Sequence, residues 1–240
     1  MLGDNRLRSF QASNQGDDIE LNNTGYALEV ISVNQADGGD IALTNNEGGI
    51  AITGLVRTRD SVDLTAQGTI DQAGGGRIEE AASLTIASIG GQKLSGANTV
   101  HSFQGTNAGG GMVELNNAAS SLEIIAIAQA DGGDIELTNV GDLAILGQIS
   151  STAGDISVAA DGTIHSTQGD VSIRGKDITL EAKEGGIGSK EIRVVAVADG
   201  RTNLSADLDI FFEERETDLD SDFIISEHGS VDLLVPAGGI

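Results

Sequence analysis

Short segments of alternating apolar and polar residues recur along the whole chain. Each follows one pattern: Asp or Ser, then Ile, Val or Leu, then any residue, then Ile, Val or Leu again. Alternation with a period of two is typical of a strand with one buried face, and apolar residues nowhere keep a helical spacing. The first apolar positions of these segments are Ile19, Ile41, Val62, Leu84, Val113, Ile135, Ile156, Ile178, Leu208 and Val231.

The spacing of these segments is nearly constant. Successive intervals are 22, 21, 22, 29, 22, 21, 22, 30 and 23 residues. A fixed period between about 20 and 50 residues is the signature of a solenoid or a propeller. The two long intervals predict longer coils at about residues 84–112 and 178–207, with protruding loops over residues 92–111 and 185–206.

A longer repeat of 94 residues is superimposed on the short one. Residues 19–45 contain Ile-Glu-Leu-Asn-Asn, Leu-Glu-Val-Ile and Gln-Ala-Asp-Gly-Gly-Asp-Ile-Ala-Leu-Thr-Asn, and residues 113–139 contain nearly the same three strings. A degraded third copy begins at Leu208 and ends with Gly-Gly-Ile at residues 238–240. The sequence therefore predicts a single array over residues 1–240, with repeat units at about 19–112, 113–207 and, incomplete, 208–240.

Composition favours a β-helix among the repeat folds. The chain has 34 Gly, one Pro and 2% aromatic residues, and the Gly and Asn between apolar segments suit tight turns. We predict an all-β fold, a right-handed parallel β-helix of about 22 residues per coil, with coils about 4.8 Å apart. One interior column then contains Ile41, Val62 and Leu84 in one stretch and Ile135, Ile156 and Ile178 in another. A β-propeller is the alternative, although propeller blades are usually antiparallel and richer in aromatic residues.

Charge and cysteine content limit the partners. The 37 acidic residues outnumber the 13 basic ones and give a formal net charge of −24, so we expect neither nucleic acid nor an anionic membrane as a partner. The sequence has no cysteine, which excludes disulfides and thiolate metal sites. No apolar run reaches the ~20 residues of a membrane-spanning helix. Because the sequence begins and stops within its own repeat, we expect a fragment of a longer protein whose targeting signal lies elsewhere.

Several strings resemble a known family of proteins. They are the repeated Gly-Asp-Ile-x-Leu-Thr-Asn, the Gly-x-Ile-x-Ile-x-Gly that follows it, Ala-Gln-Gly-Thr-Ile at residues 66–70, and Leu-Glu-Ala-Lys-Glu-Gly-Gly-Ile-Gly at residues 180–188. From about Ile19 onward the chain resembles the repeat regions of filamentous-haemagglutinin-like proteins, which are very large bacterial surface or secreted adhesins. The resemblance implies a right-handed β-helical shaft, exported across the outer membrane, that presents binding regions away from the cell. The Asn-Pro motifs of that family's secretion domain are missing, since the only proline is Pro236.

The acidic residues near the end of the chain include a candidate metal site. Asp218, Asp220 and Asp222 have the spacing that opens a calcium-binding loop. Phe223 stands where that loop needs Gly, and Gly229 where it needs Glu. We therefore expect calcium to bind only weakly, at millimolar concentration, and we expect no other cofactor; a solvated acidic loop is the alternative. The histidines lack a second ligand type beside them and are interpreted as surface or turn residues: His101, His165 and His228.

Asparagines recur at one phase of the array. We predict a structural ladder in which stacked amides hydrogen-bond along the axis and the backbone adopts the left-handed turns that Asn tolerates. The predicted members of this ladder are Asn22, Asn45, Asn116 and Asn139.

These features favour a structural and adhesive role without catalysis. We expect a shaft segment of a bacterial protein that lies on the outer cell surface or outside the cell. The expected partners are further coils of the same protein or of other copies, and glycans or proteins of host or neighbouring cells. A self-assembling extracellular filament or surface-layer subunit is an open alternative. A polysaccharide lyase or hydrolase would share the fold, but such sites usually need aromatic platforms, and this chain has no Trp and one Tyr.

Overall fold

The computed structural model describes residues 5–236, and within this range every regular element is a β-strand. The chain forms two compact units, residues 1–119 and 120–240. Parallel strands stack as a β-solenoid whose coils are roughly 21 residues apart. The prediction of an all-β parallel β-helix is confirmed. The Gly-Gly-Ile at residues 238–240, which was predicted to end the third repeat copy, lies outside the described residues.

Unit 1 has coils with three faces. The first face carries β2, β4 and β6, and the second carries β7 and β10. Strands β3, β5, β8 and β9 turn corners from one face to another, and parts of them form the third face, where Val33 pairs with Val56 and Val56 with Ile78. Bulges mark some corners, as between Val30 and Ser32 in β3. The strands are β1 (Ser9–Asn14), β2 (Ile19–Asn23), β3 (Ala27–Gln35), β4 (Ile41–Asn45), β5 (Gly49–Arg57), β6 (Ser61–Ala66), β7 (Ile70–Gln72), β8 (Arg77–Ser88), β9 (Gln92–Asn107) and β10 (Val113–Asn117).

The predicted interior column of unit 1 is confirmed. Ile41 lies opposite Val62, and Val62 lies opposite Leu84. All three side chains are buried, because inward positions alternate with outward ones along each strand. The column is extended by Ile19, which pairs with Ile41, and by Phe103, which pairs with Leu84.

Phe103 is one of two aromatic rings that are fully buried in the interior, the other being Phe212. A Cβ atom added at Gly105 would lie 3.1 Å from Cζ of Phe103. The absence of a side chain at Gly105 therefore makes room for the ring in an interior whose apolar side chains are mostly aliphatic.

The first long interval of the sequence pattern is explained by a change of face. Val113 pairs with Gln92, which in turn pairs with Ile70 on the second face, whereas Leu84 pairs with Phe103 on the first. The 94-residue repeat therefore places Val113 on a different face from Ile19. The loop predicted over residues 92–111 is wrong, because residues 92–107 form strand β9.

Unit 2 repeats the same construction. The column of Ile135, Ile156 and Ile178 is confirmed by the register of β12, β15 and β18, and Thr202 continues it. The strands are β11 (Ser121–Gln129), β12 (Ile135–Asn139), β13 (Asp142–Ile145), β14 (Ile149–Ser151), β15 (Ile156–Ala160), β16 (Ile164–Ser166), β17 (Ile173–Gly175), β18 (Ile178–Ala182), β19 (Val194–Ala198), β20 (Thr202–Ala206), β21 (Ile210–Glu214), β22 (Ile224–Ser226) and β23 (Val231–Leu234).

The second loop prediction, over residues 185–206, is also wrong in part. Strands β19 and β20 occupy much of this range, and Ile187 bridges Ile164 and Ile210 in the interior. The irregular part is the turn over residues 188–193, where the Ser189 N–H donates to the Ile192 carbonyl at 2.8 Å. Leu208, which the pattern placed in the interior, is 47% exposed.

Replacing Ile156 by Asp tests the interior column. Ile156 is buried between Ile135 and Ile178, so a carboxylate there would have no partner, and we expect a loss of unfolding free energy of about 4 kcal/mol. Ser157→Asp is the matched control, because residue 157 faces outward and should cost less than about 1 kcal/mol. Urea unfolding followed by circular dichroism measures both, and equal losses would contradict the assignment of the two faces.

Candidate functional site

A ladder of aspartates joins the coils at one corner, directly before the buried isoleucines. In unit 1 the Asp18 carboxylate accepts the backbone N–H of Asp40 at 2.9 Å, and the Asp40 carboxylate accepts the N–H of Ser61 at 3.1 Å. The Ser61 hydroxyl also donates to Asp40, and these bonds lower the pKa of the Asp40 carboxyl. Sequence reasoning missed this role, although the repeated Gly-Asp-Ile string was its signal.

A second aspartate ladder of the same kind joins several coils of unit 2. The Asp134 carboxylate accepts the N–H of Asp155 at 2.9 Å, Asp155 accepts that of Asp177 at 3.3 Å, and Asp177 accepts that of Arg201 at 2.8 Å. Lys176 lies 3.2 Å from a carboxylate oxygen of Asp155 and 3.7 Å from one of Asp177. The carboxylates thus satisfy backbone donors where the strand ladder is interrupted.

The predicted amide hydrogen bonds between coils occur for Asn22 and Asn45, each with a partner outside the predicted set. The side-chain amide of Asn46 donates to the side-chain oxygen of Asn22 at 2.5 Å. Asn45 lies opposite Asn23, while the predicted member Asn22 lies opposite Thr44. The amide of Asn23 donates to the carbonyl oxygen of the Asn45 side chain at 3.2 Å, and both side chains are buried. The alternation of Ile19 and Leu21 already indicated this, because the next inward residue is Asn23.

Buried asparagines of unit 1 bind the backbone of the preceding coil. Asn23 accepts the N–H of Leu7 at 2.7 Å and donates to its carbonyl at 3.2 Å. Asn117 makes the same pair of bonds with Val100, at 2.9 and 3.1 Å. The predicted member Asn116 is exposed and adjacent to this buried Asn117.

Asn45 and Asn139 instead hold their own corners. The Asn45 amide donates to the carbonyl of Gly49, and the Asn139 amide donates to the carbonyl of Asp142, both at 2.8 Å. The described residues with positive φ include no Asn, so the left-handed turns that motivated the prediction are not the reason for these positions. Asn occupies these positions because its side-chain amide donates a hydrogen bond there.

The predicted calcium ligands are exposed, and two of them lie near the same arginine. The Arg201 guanidinium lies 2.8 Å from a carboxylate oxygen of Asp222 and 3.9 Å from one of Asp220. Asp218, Asp220 and Asp222 alternate with less exposed residues, and Leu219 is buried. An arginine therefore partly neutralises the group for which calcium was predicted. Weak calcium binding here stays a prediction.

The structure instead gathers three other ligating side chains. Asp207, Glu227 and His228 offer ligand atoms within 4.8 Å of one another. The His228 Nδ1 atom is 2.5 Å from the Asp207 carboxylate, which raises the pKa of the imidazole. An exposed ion pair across two coils accounts for this cluster. His101 and His165 lie in β9 and β16.

A buried carboxylate in unit 2 was not predicted from the sequence. The side chain of Glu214 is buried and accepts hydrogen bonds from the Ala198 N–H at 2.9 Å, the Thr202 hydroxyl at 2.8 Å and the Thr217 hydroxyl at 3.0 Å. Burial raises the pKa of the Glu214 carboxyl, and the three donors oppose that shift in part. All three donors are groups of the protein itself, in or next to neighbouring strands, which indicates a structural role.

A cleft of about 650 Å³ lies beside the first coil of unit 1. Its lining includes Arg6, Arg8, Thr24, Gly25, Tyr26 and Glu47. Tyr26 is 90% exposed. The cleft combines two cations, an aromatic ring and a carboxylate, which the sequence pattern gave no reason to bring together.

Comparison of the chain with protein-family models, curated proteins and solved structures gave no match. The described residues contain no helix long and apolar enough to cross a membrane. Functional conclusions therefore rest on the fold, the corners and the cleft.

Glu214→Gln tests the buried carboxylate. Because the pKa of Glu214 is raised in the folded state, the folded protein holds this proton at a pH where the unfolded chain has already lost it. The free energy of unfolding therefore falls as pH rises from the pKa of the unfolded chain, about 4.3, through the pKa of the folded protein. The neutral amide keeps an acceptor for the Ala198 N–H. We expect the variant to be more stable than the wild type at pH 8, with the difference shrinking towards pH 4.

Urea midpoints measured across this pH range give the comparison. Glu184→Gln removes the same charge from an exposed position in unit 2 and should leave the pH dependence of the wild type unchanged. A Glu214→Gln midpoint that followed the wild-type midpoint in parallel over the whole range would show that the carboxyl titrates normally.

Proposed function

We propose that this chain is a structural and adhesive shaft segment of a very large bacterial protein of the filamentous-haemagglutinin-like type, on the outer cell surface or secreted. The observation that carries the proposal is that the 94-residue repeat preserves asparagines that hydrogen-bond within and between coils. Asn23 and Asn117 bind the preceding coil, and Asn45 and Asn139 brace corners. Repetition of the residues that stack coils is what selection for an extended scaffold would maintain.

The outer surface fits a scaffold in contact with water. Outward positions carry most of the 37 acidic residues, and seven arginines and two lysines form ion pairs there. A high net charge opposes lateral aggregation of long parallel sheets. The proposal assigns no catalytic role to any of these groups.

Surface labelling of the source bacterium tests the location. Antibodies raised against unit 2 should label intact cells or the culture medium, and beads coated with the protein should adhere to host or neighbouring cells more than beads coated with an unrelated acidic protein. Labelling only after permeabilisation would contradict the location. Release of products from a polysaccharide by the purified protein would favour the lyase or hydrolase instead.

A self-assembling filament is a second candidate, favoured by strand β23. Val231 and Leu234 in this strand are each 44% exposed, whereas the residues opposite Val231 and Leu233, Ile210 and Phe212, are fully buried. A parallel strand with exposed apolar residues is a template for pairing with another coil.

Sedimentation at increasing protein concentration tests this assembly. If copies stack through β23, the mean mass should rise with concentration, and Val231→Lys should abolish the rise. Val140→Lys is the control, because Val140 is 56% exposed elsewhere in unit 2. A constant monomer mass for the wild type, or equal effects of the two variants, would eliminate the filament.

A further inference from the structure

Arg6 and Arg8 are exceptional among the arginines of this protein. Each of the other arginines has a carboxylate oxygen within 4 Å, whereas neither of these two forms an ion pair with any described residue. Acidic residues outnumber basic ones by 37 to 13, so it is unexpected that one cleft contains two arginines without an ion pair to any described residue. The paired arginines are Arg57, Arg59, Arg77, Arg174, Arg193, Arg201 and Arg215.

The wall that carries these arginines is fixed to the coil beneath it. Leu7, between them, exchanges two hydrogen bonds with the buried amide of Asn23. The Arg8 carbonyl accepts the N–H of Glu29 at 2.9 Å, and the Asn5 carbonyl accepts the N–H of Thr24 at 2.7 Å. The backbone on both sides of the two arginines is therefore held in place before any ligand arrives, which lowers the entropic cost of binding.

Gly25 lets this wall approach closely. A Cβ atom at this position would lie 2.9 Å from the carbonyl oxygen of Leu7 and 3.0 Å from the amide nitrogen of Asn23. A larger residue would push the segment of Arg6 and Arg8 away from the coil. Gly25 therefore helps to fix the position of the segment that carries the two arginines.

Tyr26 supplies the most exposed aromatic ring among the described residues; Phe223 follows at 39% exposed. It is the single Tyr of the sequence and is 90% exposed, whereas Phe103 and Phe212 are fully buried. An exposed ring offers its face to the C–H groups of a sugar and its hydroxyl to polar groups. Glu47, which also lines the cleft, can accept hydrogen bonds from ligand hydroxyls.

We propose that this cleft binds a carboxylate-bearing saccharide, such as a uronic-acid oligomer. Arg6 and Arg8 would bind the carboxylates through paired N–H donors, Tyr26 would stack on a sugar ring, and Glu47 would accept from hydroxyls. A cleft of about 650 Å³ is within the usual range for small ligands. The assignment of this ligand as an adhesion target rests on the proposed function; the binding itself does not.

The net charge of the protein shapes the expected affinity. A charge of −24 repels anions at long range, but screening at physiological salt limits that repulsion to about 8 Å, while the guanidinium groups act at contact. We therefore expect binding that strengthens from very low salt to physiological salt and weakens again at high salt.

Isothermal titration with tri-galacturonic acid tests the proposal. We expect the wild type to bind it, Arg8→Ala, Arg6→Ala and Tyr26→Ala each to weaken binding at least about tenfold, and a neutral trisaccharide of equal length to show no binding. Lys93→Ala is the control, because it removes a positive charge from an exposed position of unit 1 outside the cleft and should bind like the wild type.

Three results would overturn the assignment: no binding of tri-galacturonic acid, equal binding of the neutral trisaccharide, or equal binding by the cleft variants and the wild type. Tighter binding of a sulfated trisaccharide that is lost in Arg8→Ala would overturn the carboxylate while keeping an anion site. Circular dichroism spectra of the variants exclude misfolding as the cause of a loss. If the saccharide binds but coated beads do not adhere to cells, the proposed adhesive function is contradicted and the proposed saccharide site is still supported.

Discussion

The hydrogen bond between equivalent positions of neighbouring coils is the interaction on which the structure depends. Within strands the backbone ladder provides it, as between β4 and β6 or between β15 and β18. At corners the backbone turns away, and its polar groups need other partners. Asp carboxylates and Asn amides supply them, so the chain keeps its register through turns as well as through strands.

This requirement explains part of the acidity of the protein. Asp134, Asp155 and Asp177 are stacked one coil apart, an arrangement in which like charges repel. Each carboxylate gains a backbone donor in return, and Lys176 lies between the last two. The negative charge is thus in part a consequence of how coils are joined, in addition to its effect on solubility.

The cleft beside the first coil uses the same stacking contacts for a different purpose. Asn23, whose amide meets Asn45 on one side, binds Leu7 on the other and so fixes the chain between Arg6 and Arg8. Asn117 makes the same pair of hydrogen bonds only to join two coils. At Asn23 the pair also positions the segment that carries Arg6 and Arg8. Glu214 shows the contrasting case, since its buried carboxylate is fully occupied by donors of its own surroundings.

The sequence by itself determined the strand period, the coil length and the two interior columns of Ile41, Val62 and Leu84 and of Ile135, Ile156 and Ile178. It could do so because burial of one strand face imposes a period of two, and stacking imposes a nearly constant spacing. The inward phase of Asn23 was readable by the same rule, although the pairing of two adjacent asparagines obscured it.

Only the tertiary structure decided which coil each segment joins. Gln92 and Phe103 occupy interior positions where the sequence pattern predicted aliphatic residues. The pattern therefore made Val113 the next member of the column after Leu84, whereas in the structure Leu84 pairs with Phe103 and Val113 pairs with Gln92. The cleft and the Glu214 site also depend on hydrogen bonds between residues 12 to 21 positions apart. The hydrophobic pattern does not predict these polar contacts, because it identifies the inward positions but not which polar groups meet across neighbouring coils.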